Sequence, residues 1–305
     1  DYKDSFKLIT NIVDDYFDLN KEWNFIPKRF QNQVHRKIEN ARELTKKINN
    51  IRSIPQPTQR TQEWYQFRHN LITASNLGKI FGTEASLNSL IYEKCLPLKQ
   101  EQREKGYTYV NTQSPLHWGQ KYEPVSVMLY EKMYNATVED FGCIQHKKYS
   151  FIGASPDGIN VEQTSPHYGR MLEIKNIVNR EIDGNPSKNY WIQMQIQMET
   201  CDLDKCDFLE TRFKEFENED DIYKEEVKNK ERGVILYFVE RISIGVTLPV
   251  ENEESEVTGY QLAQQYSGIP HYVYMPLSVE LTKESVDNWI EETRTKLRRS
   301  WSLYT

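Results

Sequence analysis

Cysteine is scarce in this chain of 305 residues: four, at positions 95, 143, 201 and 206, with no Cys-x-x-Cys pair. That scatter argues against a disulfide framework and suits reduced thiols. Cys143-x-x-His146 with Cys201 and Cys206 can be drawn as a zinc set, but it lacks the paired short spacings such sites use. Long apolar runs are missing as well, so no segment reads as a membrane-spanning helix. No secretory signal is visible, so an intracellular, soluble protein is the expectation by default; the chain opens Asp1-Tyr2-Lys3-Asp4 without an initiator Met, so its start need not be the native N-terminus and does not exclude a targeting signal. Excess positive charge is lacking too. Lys and Arg number 39 against 45 Asp and Glu, a net charge of -6. A polyanionic partner is therefore not written into the bulk electrostatics, and any path for one must be local.

What is present describes a globular chain, 38% hydrophobic and 28% charged, long enough to bury a substantial core. One basic stretch runs from Lys28 through Arg29, Arg36, Lys37, Arg42, Lys46 and Lys47 to Arg52. A run rich in Glu and Asp, from Glu215 to Glu231, has the opposite balance and reads as a solvated insertion. Helical spacing occupies residues 5 to 52, ending at the linker Ile54-Pro55-Gln56-Pro57. Helices are expected at Thr61 to Phe67, from Thr73-Ala74-Ser75, at His117 to Tyr134, from Asn185-Pro186 through Cys201, and at 282–301. Two strands are expected within Cys143 to Val161, and others at Met171 to Val178, Cys206 to Phe213 and Gly233 to Ile242. Helix, strand pair, strand, helix, strand makes an α/β core with a mixed sheet.

Two short motifs carry chemistry: Gly153-Ala154-Ser155-Pro156-Asp157-Gly158-Ile159, and Leu172-Glu173-Ile174-Lys175. Alternation along a strand puts Glu173 and Lys175 on one side, where Asp157 can meet them. Two converging carboxylates are costly to ionise together unless a divalent cation sits between them, and hard oxygen ligands suit Mg2+ or Mn2+. A neighbouring ammonium can hold or help deprotonate a water and offset charge at phosphorus. The plainer alternative is a Pro-Asp-Gly turn and a solvated Glu-x-Lys strand face, unrelated to each other.

Three more segments join these in order: Trp64-Tyr65-Gln66-Phe67-Arg68 with Ile72-Thr73-Ala74-Ser75, Trp118-Gly119-Gln120-Lys121-Tyr122-Glu123, and Tyr190-Trp191-Ile192-Gln193-Met194-Gln195. Over about Gln59 to Phe213 the set resembles the phage lambda exonuclease family, also called the YqaJ viral recombinase family, of the PD-(D/E)XK nuclease superfamily. The resemblance implies a restriction-endonuclease-like core, a central mixed β-sheet flanked by helices. It implies a helical N-terminal extension and linker over 1–57 and a nuclease domain over 58–305, with an insertion near 214–232. Asp157 and Glu173 would be metal ligands, with the carbonyl of Ile174 an additional one. Lys175 would place the water, Glu123 would serve a second metal or its water shell, and Gln193 would align the nucleophile. Arg68 and Ser75 would hold a terminal 5′-phosphate. The implied activity is 5′→3′ resection of linear duplex DNA with one or two Mg2+ ions, Mn2+ substituting, in viral recombination or repair.

The partners so implied are double-stranded DNA ends, a single-strand annealing protein and further copies of the chain, since the phage enzyme is a ring-shaped trimer while longer relatives act as monomers. A viral protein of this kind would work in the host cytoplasm or at a viral replication site. The chain departs from the pattern in a longer loop through Thr164-Ser165-Pro166-His167 and in its larger flanking regions, resembling instead the long forms of large DNA viruses. Asp157, Glu173 and Lys175 alone do not separate an exonuclease from an endonuclease, nor DNA from RNA. A non-catalytic nucleic-acid-binding scaffold is the alternative from another class. Plain helix-face readings also stand beside the assignments: an exposed Glu123, one polar face of Gln193, Gln195 and Gln197, a surface Arg68 and an N-capping Ser75.

Overall fold

A computed structural model describes residues 41–59, 61–98, 111–112, 114–224, 227, 230–251, 257–298 and 303–304. Lys28, Arg29, Arg36 and Lys37, and the helices expected before residue 41, lie outside the described residues. The chain divides into two compact units. One comprises Asp1–Leu96, Asn135–Glu173 and Pro186–Phe208, the other Pro97–Tyr134, Ile174–Asn185 and Leu209–Thr305.

In the first unit, helix α1 (Ala41–Ser53) turns Ile48 and Ile51 inward. They pack with Phe141, Ile144, Ile159, Met171 and Met198 in one hydrophobic cluster, so this helix builds the core rather than padding it. Its surface charges are engaged: Arg52 makes a fork with the Glu139 carboxylate, and Lys47 lies 3.8 Å from Asp202. Helix α2 (Gln62–His69) begins at Thr61, whose hydroxyl accepts from the Trp64 N–H. Strand β1 (Ile72–Thr73) leads into the short helix α3 (Ala74–Leu77). The cap of α3 is Thr73, not Ser75; the Thr73 hydroxyl turns to the Ser75 hydroxyl at 3.1 Å. Helix α4 (Glu84–Cys95) was not legible in the pattern, and the reason is its burial: only Leu90 is buried, while Leu87 and Ile91 stay exposed.

The second and third strands of the first unit are short. β1 pairs in parallel with β4 (Ile152–Ala154), which pairs antiparallel with β3 (Ile144–Gln145). The other sheet runs β2 (Val138–Glu139), β5 (Gly158–Asn160), β6 (Met171–Asn176), β7 (Cys206–Thr211). The Cys143 to Val161 stretch thus holds three strands where two were expected, because the Pro156-Asp157 turn breaks the second. Gly158 at that turn is required by close approach: a Cβ there would meet Val138 Cγ1 at 2.2 Å. The longer loop between β5 and β6 is an ordered hairpin. Buried Asn160 donates to Ser165 Oγ and accepts from the Glu162 N–H. Helix α6 (Lys188–Cys201) starts two residues later than expected, with Ser187 as the cap, since the Asn185 side chain and N–H are taken up by Asp183.

The second unit contains helix α5 (Pro115–Tyr134), a long antiparallel ribbon of β8 (Ile235–Glu251) and β9 (Val257–Tyr274), helix α7 (Lys283–Arg298) and β10 (Leu303–Tyr304), which pairs with β8. β8 continues well past the expected end at Ile242, and β9 was not anticipated. The acidic run holds a 3-10 turn, Glu219–Tyr223, pinned by buried Ile222, whose carbonyl accepts from Arg232. The fold is mixed α/β, with mixed β-sheets flanked by helices.

Candidate active site

Register brings the two halves of the motif together. Gly158 stands opposite Leu172 and Ile159 opposite Met171. The Asp157 N–H donates to the Leu172 carbonyl at 3.1 Å, which ties the turn carrying Asp157 to the residue next to Glu173 on β6. Cys206 reports the same convergence. Its thiol is held well above the ordinary value first by burial, then by the negative charges of Glu173, Asp207 and Asp157.

Glu173 is fully buried, and each carboxylate oxygen accepts one side-chain amide N–H from α6: Oε1 from Gln193 at 2.8 Å and Oε2 from Gln197 at 2.7 Å. Neutral amides satisfy direction without supplying charge, and a buried carboxylate beside a second one needs charge. Two carboxylate side chains are the hard oxygen donors that suit a divalent cation such as Mg2+ or Mn2+. Among the described residues no group of three or more His, Cys, Asp and Glu side chains gathers to hold a metal, so such an ion would rely on two carboxylates completed by other oxygens.

Arg68 leaves the last turn of α2 with its guanidinium 4.4 Å over the Trp64 ring, one helical turn back. Its Nη1 donates to Ser155 Oγ at 3.0 Å, and Lys94 from α4 donates to the Arg68 carbonyl at 3.1 Å. The charges of both cations are felt by the buried Cys143 thiol, which burial nonetheless pushes up. Because β1 and β4 are parallel, with Thr73 opposite Gly153, the residues that follow them leave at the same end of the pair. Ser75 and Ser155 are those residues, and Ser75 is exposed. Of the expected anion pair, Arg68 thus reaches the turn that carries Asp157 through Ser155, while the Ser75 hydroxyl lies against Thr73.

In the second unit the strand β6 continues through buried Ile174 and half-buried Lys175 to Asn176. Asn176 is clasped by α5: its amide donates to the Gly119 carbonyl at 2.9 Å, and its oxygen accepts from Ser126 Oγ and Thr211 Oγ1, both at 2.7 Å. Glu123 falls four residues after Gly119 and three before Ser126, so it lies on the helix face turned to this end of the strand. Tyr122, on the adjacent face, stacks on Phe213 at 4.6 Å and donates to Glu215.

Sequence reasoning missed four of these residues: Gln197, Ser155, Lys94 and Asn176. Gln197 had a readable signal. It is four residues from Gln193, on the same helical face, whereas Gln195 lies on the other side. Lys94 had none, because its partner is a backbone carbonyl distant in sequence.

Fold and site together define a two-carboxylate α/β centre with an arginine anchor beside it. Residues 63–204 match the YqaJ-like viral recombinase domain. That stretch contains Arg68, Ser75, Glu123, Asp157, Glu173, Lys175, Gln193 and Gln197, so the motifs read from the sequence lie within the matched residues. The chain is 28% identical over 298 residues to an uncharacterized protein of Acanthamoeba polyphaga mimivirus, covering 90% of this chain and 49% of that protein. It therefore spans about half the length of the curated relative it matches. An alkaline exonuclease from Laribacter hongkongensis is similar at 25% identity and a TM-score of 0.38, over 50% of this chain and 74% of that one. Its complex with dAMP gives 26% identity and a TM-score of 0.38, over 49% and 73%.

Proposed function

We propose that this chain is a divalent-metal-dependent nuclease that resects linear double-stranded DNA 5′→3′ from phosphorylated ends. The observation that carries the reading is the joint on one turn: Ser155 receives Arg68 while Asp157, two residues on, bonds to the strand residue next to a buried Glu173 clamped by Gln193. A Mg2+ ion bound there would supply Lewis acidity toward a phosphoryl oxygen and lower the pKa of its water. The chain's own residues do the rest. Arg68, with Ser75, binds the terminal phosphate through a fork of N–H donors and fixes which bond reaches the carboxylates. Gln193 keeps the Glu173 carboxylate in one orientation. Lys175, two residues along the same strand, steadies the water and the charge that grows at phosphorus. Glu123, on the α5 face turned to Asn176, has the role that the family resemblance implies, serving a second metal ion or its water shell.

The test compares purified protein on three substrates in Mg2+, Mn2+ or EDTA: linear 5′-phosphorylated duplex, linear 5′-hydroxyl duplex and closed circular DNA, each beside Glu173→Ala. Loss of linear DNA only with metal, faster from phosphorylated ends, with circles spared and Glu173→Ala inactive, is the expected outcome. Rapid nicking of circles would replace the reading with an endonuclease. Binding without cleavage in any metal would replace it with a scaffold.

A further inference from the structure

We propose that Gln197 is a positioning residue for this site, the tie that sets the span between the Ser155-Pro156-Asp157 turn and Glu173. The inference rests on the nuclease reading above. Gln197 is fully buried on α6, and both hydrogens of its amide are committed: one to Glu173 Oε2 at 2.7 Å, the other to the Ser155 carbonyl at 3.1 Å. Turning the amide over would set its oxygen against a carboxylate and a carbonyl, so the two acceptors fix its orientation. Its own Oε1 is buried without a hydrogen-bond partner. A side chain serving core stability alone would do better as an apolar residue of the same length, because an orphaned buried acceptor is costly. The residue instead serves the two groups it joins.

Ser155 makes the joint informative. Its hydroxyl accepts from Arg68, its carbonyl accepts from Gln197, and it lies two residues before Asp157. Gln193 holds one oxygen of Glu173 and Gln197 the other, but only Gln197 also grips the opposing turn. Removing it leaves Gln193 on Glu173 Oε1 but cuts the tie between Glu173 and the Ser155 carbonyl, so the span between Glu173 and the Asp157 turn loosens. The Arg68 to Ser155 bond does not pass through Gln197, so end binding survives. Loss of Gln197 therefore weakens cation binding and turnover while sparing recognition of the DNA end.

Two variants test this: Gln197→Met, equal in length and without donors, and Gln197→Asn, which keeps the amide but withdraws it by one methylene. Each is titrated with Mn2+ by calorimetry after EDTA treatment, then assayed on 5′-phosphorylated duplex. Partners that orient a metal ligand affect affinity by about tenfold or more. We expect Mn2+ affinity to fall about tenfold, kcat to fall at least as much, and KM for phosphorylated ends to stay within about twofold. Should Gln197→Met fail to fold, Gln197→Asn alone decides. A folded variant with wild-type Mn2+ affinity overturns the proposal, as does a raised KM with unchanged kcat. If wild-type protein binds Mn2+ yet cuts no DNA, the nuclease reading fails and the Mn2+ isotherms still judge Gln197. A wild-type protein without any Mn2+ isotherm overturns the role of Gln197 outright.

Discussion

At the scale of single residues, Arg68 is the side chain on which the proposed substrate direction turns. Its guanidinium is held twice, by the Trp64 face beneath it and by the Ser155 hydroxyl, and its carbonyl takes the Lys94 ammonium. A planar fork so held is pre-organised for a tetrahedral anion, which a lysine at the same place would not be. Arg68→Lys keeps the charge and loses the fork and the stacking. The expected result is a fall in the rate ratio between 5′-phosphorylated and 5′-hydroxyl duplex toward one, with Mn2+ binding unchanged. Arg68→Ala should go at least as far. A ratio unchanged in both variants would remove Arg68 from end recognition. The candidate residues could be named from the sequence because they sit in short motifs: Glu173 and Lys175 by strand alternation, Asp157 by its turn, Gln193 and Arg68 through the family resemblance. Gln197 and Lys94 were not read, since each acts on a group whose nearness only the folded chain creates.

At the scale of elements, caps and register explain both what the sequence told and what it hid. α2 was legible from Thr61, and α5 from its apolar steps of three and four. α4 and β9 lack such periodicity, and the start of α6 was misplaced because two capping residues, Asn185 and Ser187, compete within three positions. α5 is itself secured to the chain beyond β7 by Lys121 and Tyr122, which both donate to Glu215. Those bonds depress the Glu215 carboxyl below its ordinary value of 4.5. A carboxyl lowered on folding contributes stability that is present above the unfolded value and is lost as pH falls through the folded one. Glu215→Gln should therefore be less stable than wild type in urea titrations at pH 7, by a modest amount because Glu215 is exposed. The difference should close as pH falls below the ordinary carboxylate range. A gap that does not vary with pH would show that packing, not charge, is what Glu215 provides.

For the molecule as a whole, charge sets the terms on which DNA can bind. A chain of net charge -6 repels a duplex except where cations are locally in excess, and the described anchor supplies two, Arg68 and Lys94. Each phosphate neutralised contributes about -0.9 to the slope of log K against log salt. Two contacts give a slope near -1.8, or a loss of about tenfold in affinity between 50 and 200 mM salt. A protein that grips a long tract of backbone would lose on the order of a thousandfold or more over that range. The basic stretch from Lys28 to Lys47 makes the comparison decisive, since its engagement would steepen the slope by roughly one unit per added contact. Equilibrium binding to a 5′-phosphorylated duplex in EDTA, measured by anisotropy across this salt range, is the check. A slope near -1.8 that falls to about -0.9 in Arg68→Ala fits a protein that holds DNA by its end. A slope of about -5 would mean that the duplex is tracked along its length, and end recognition would then be a small part of binding.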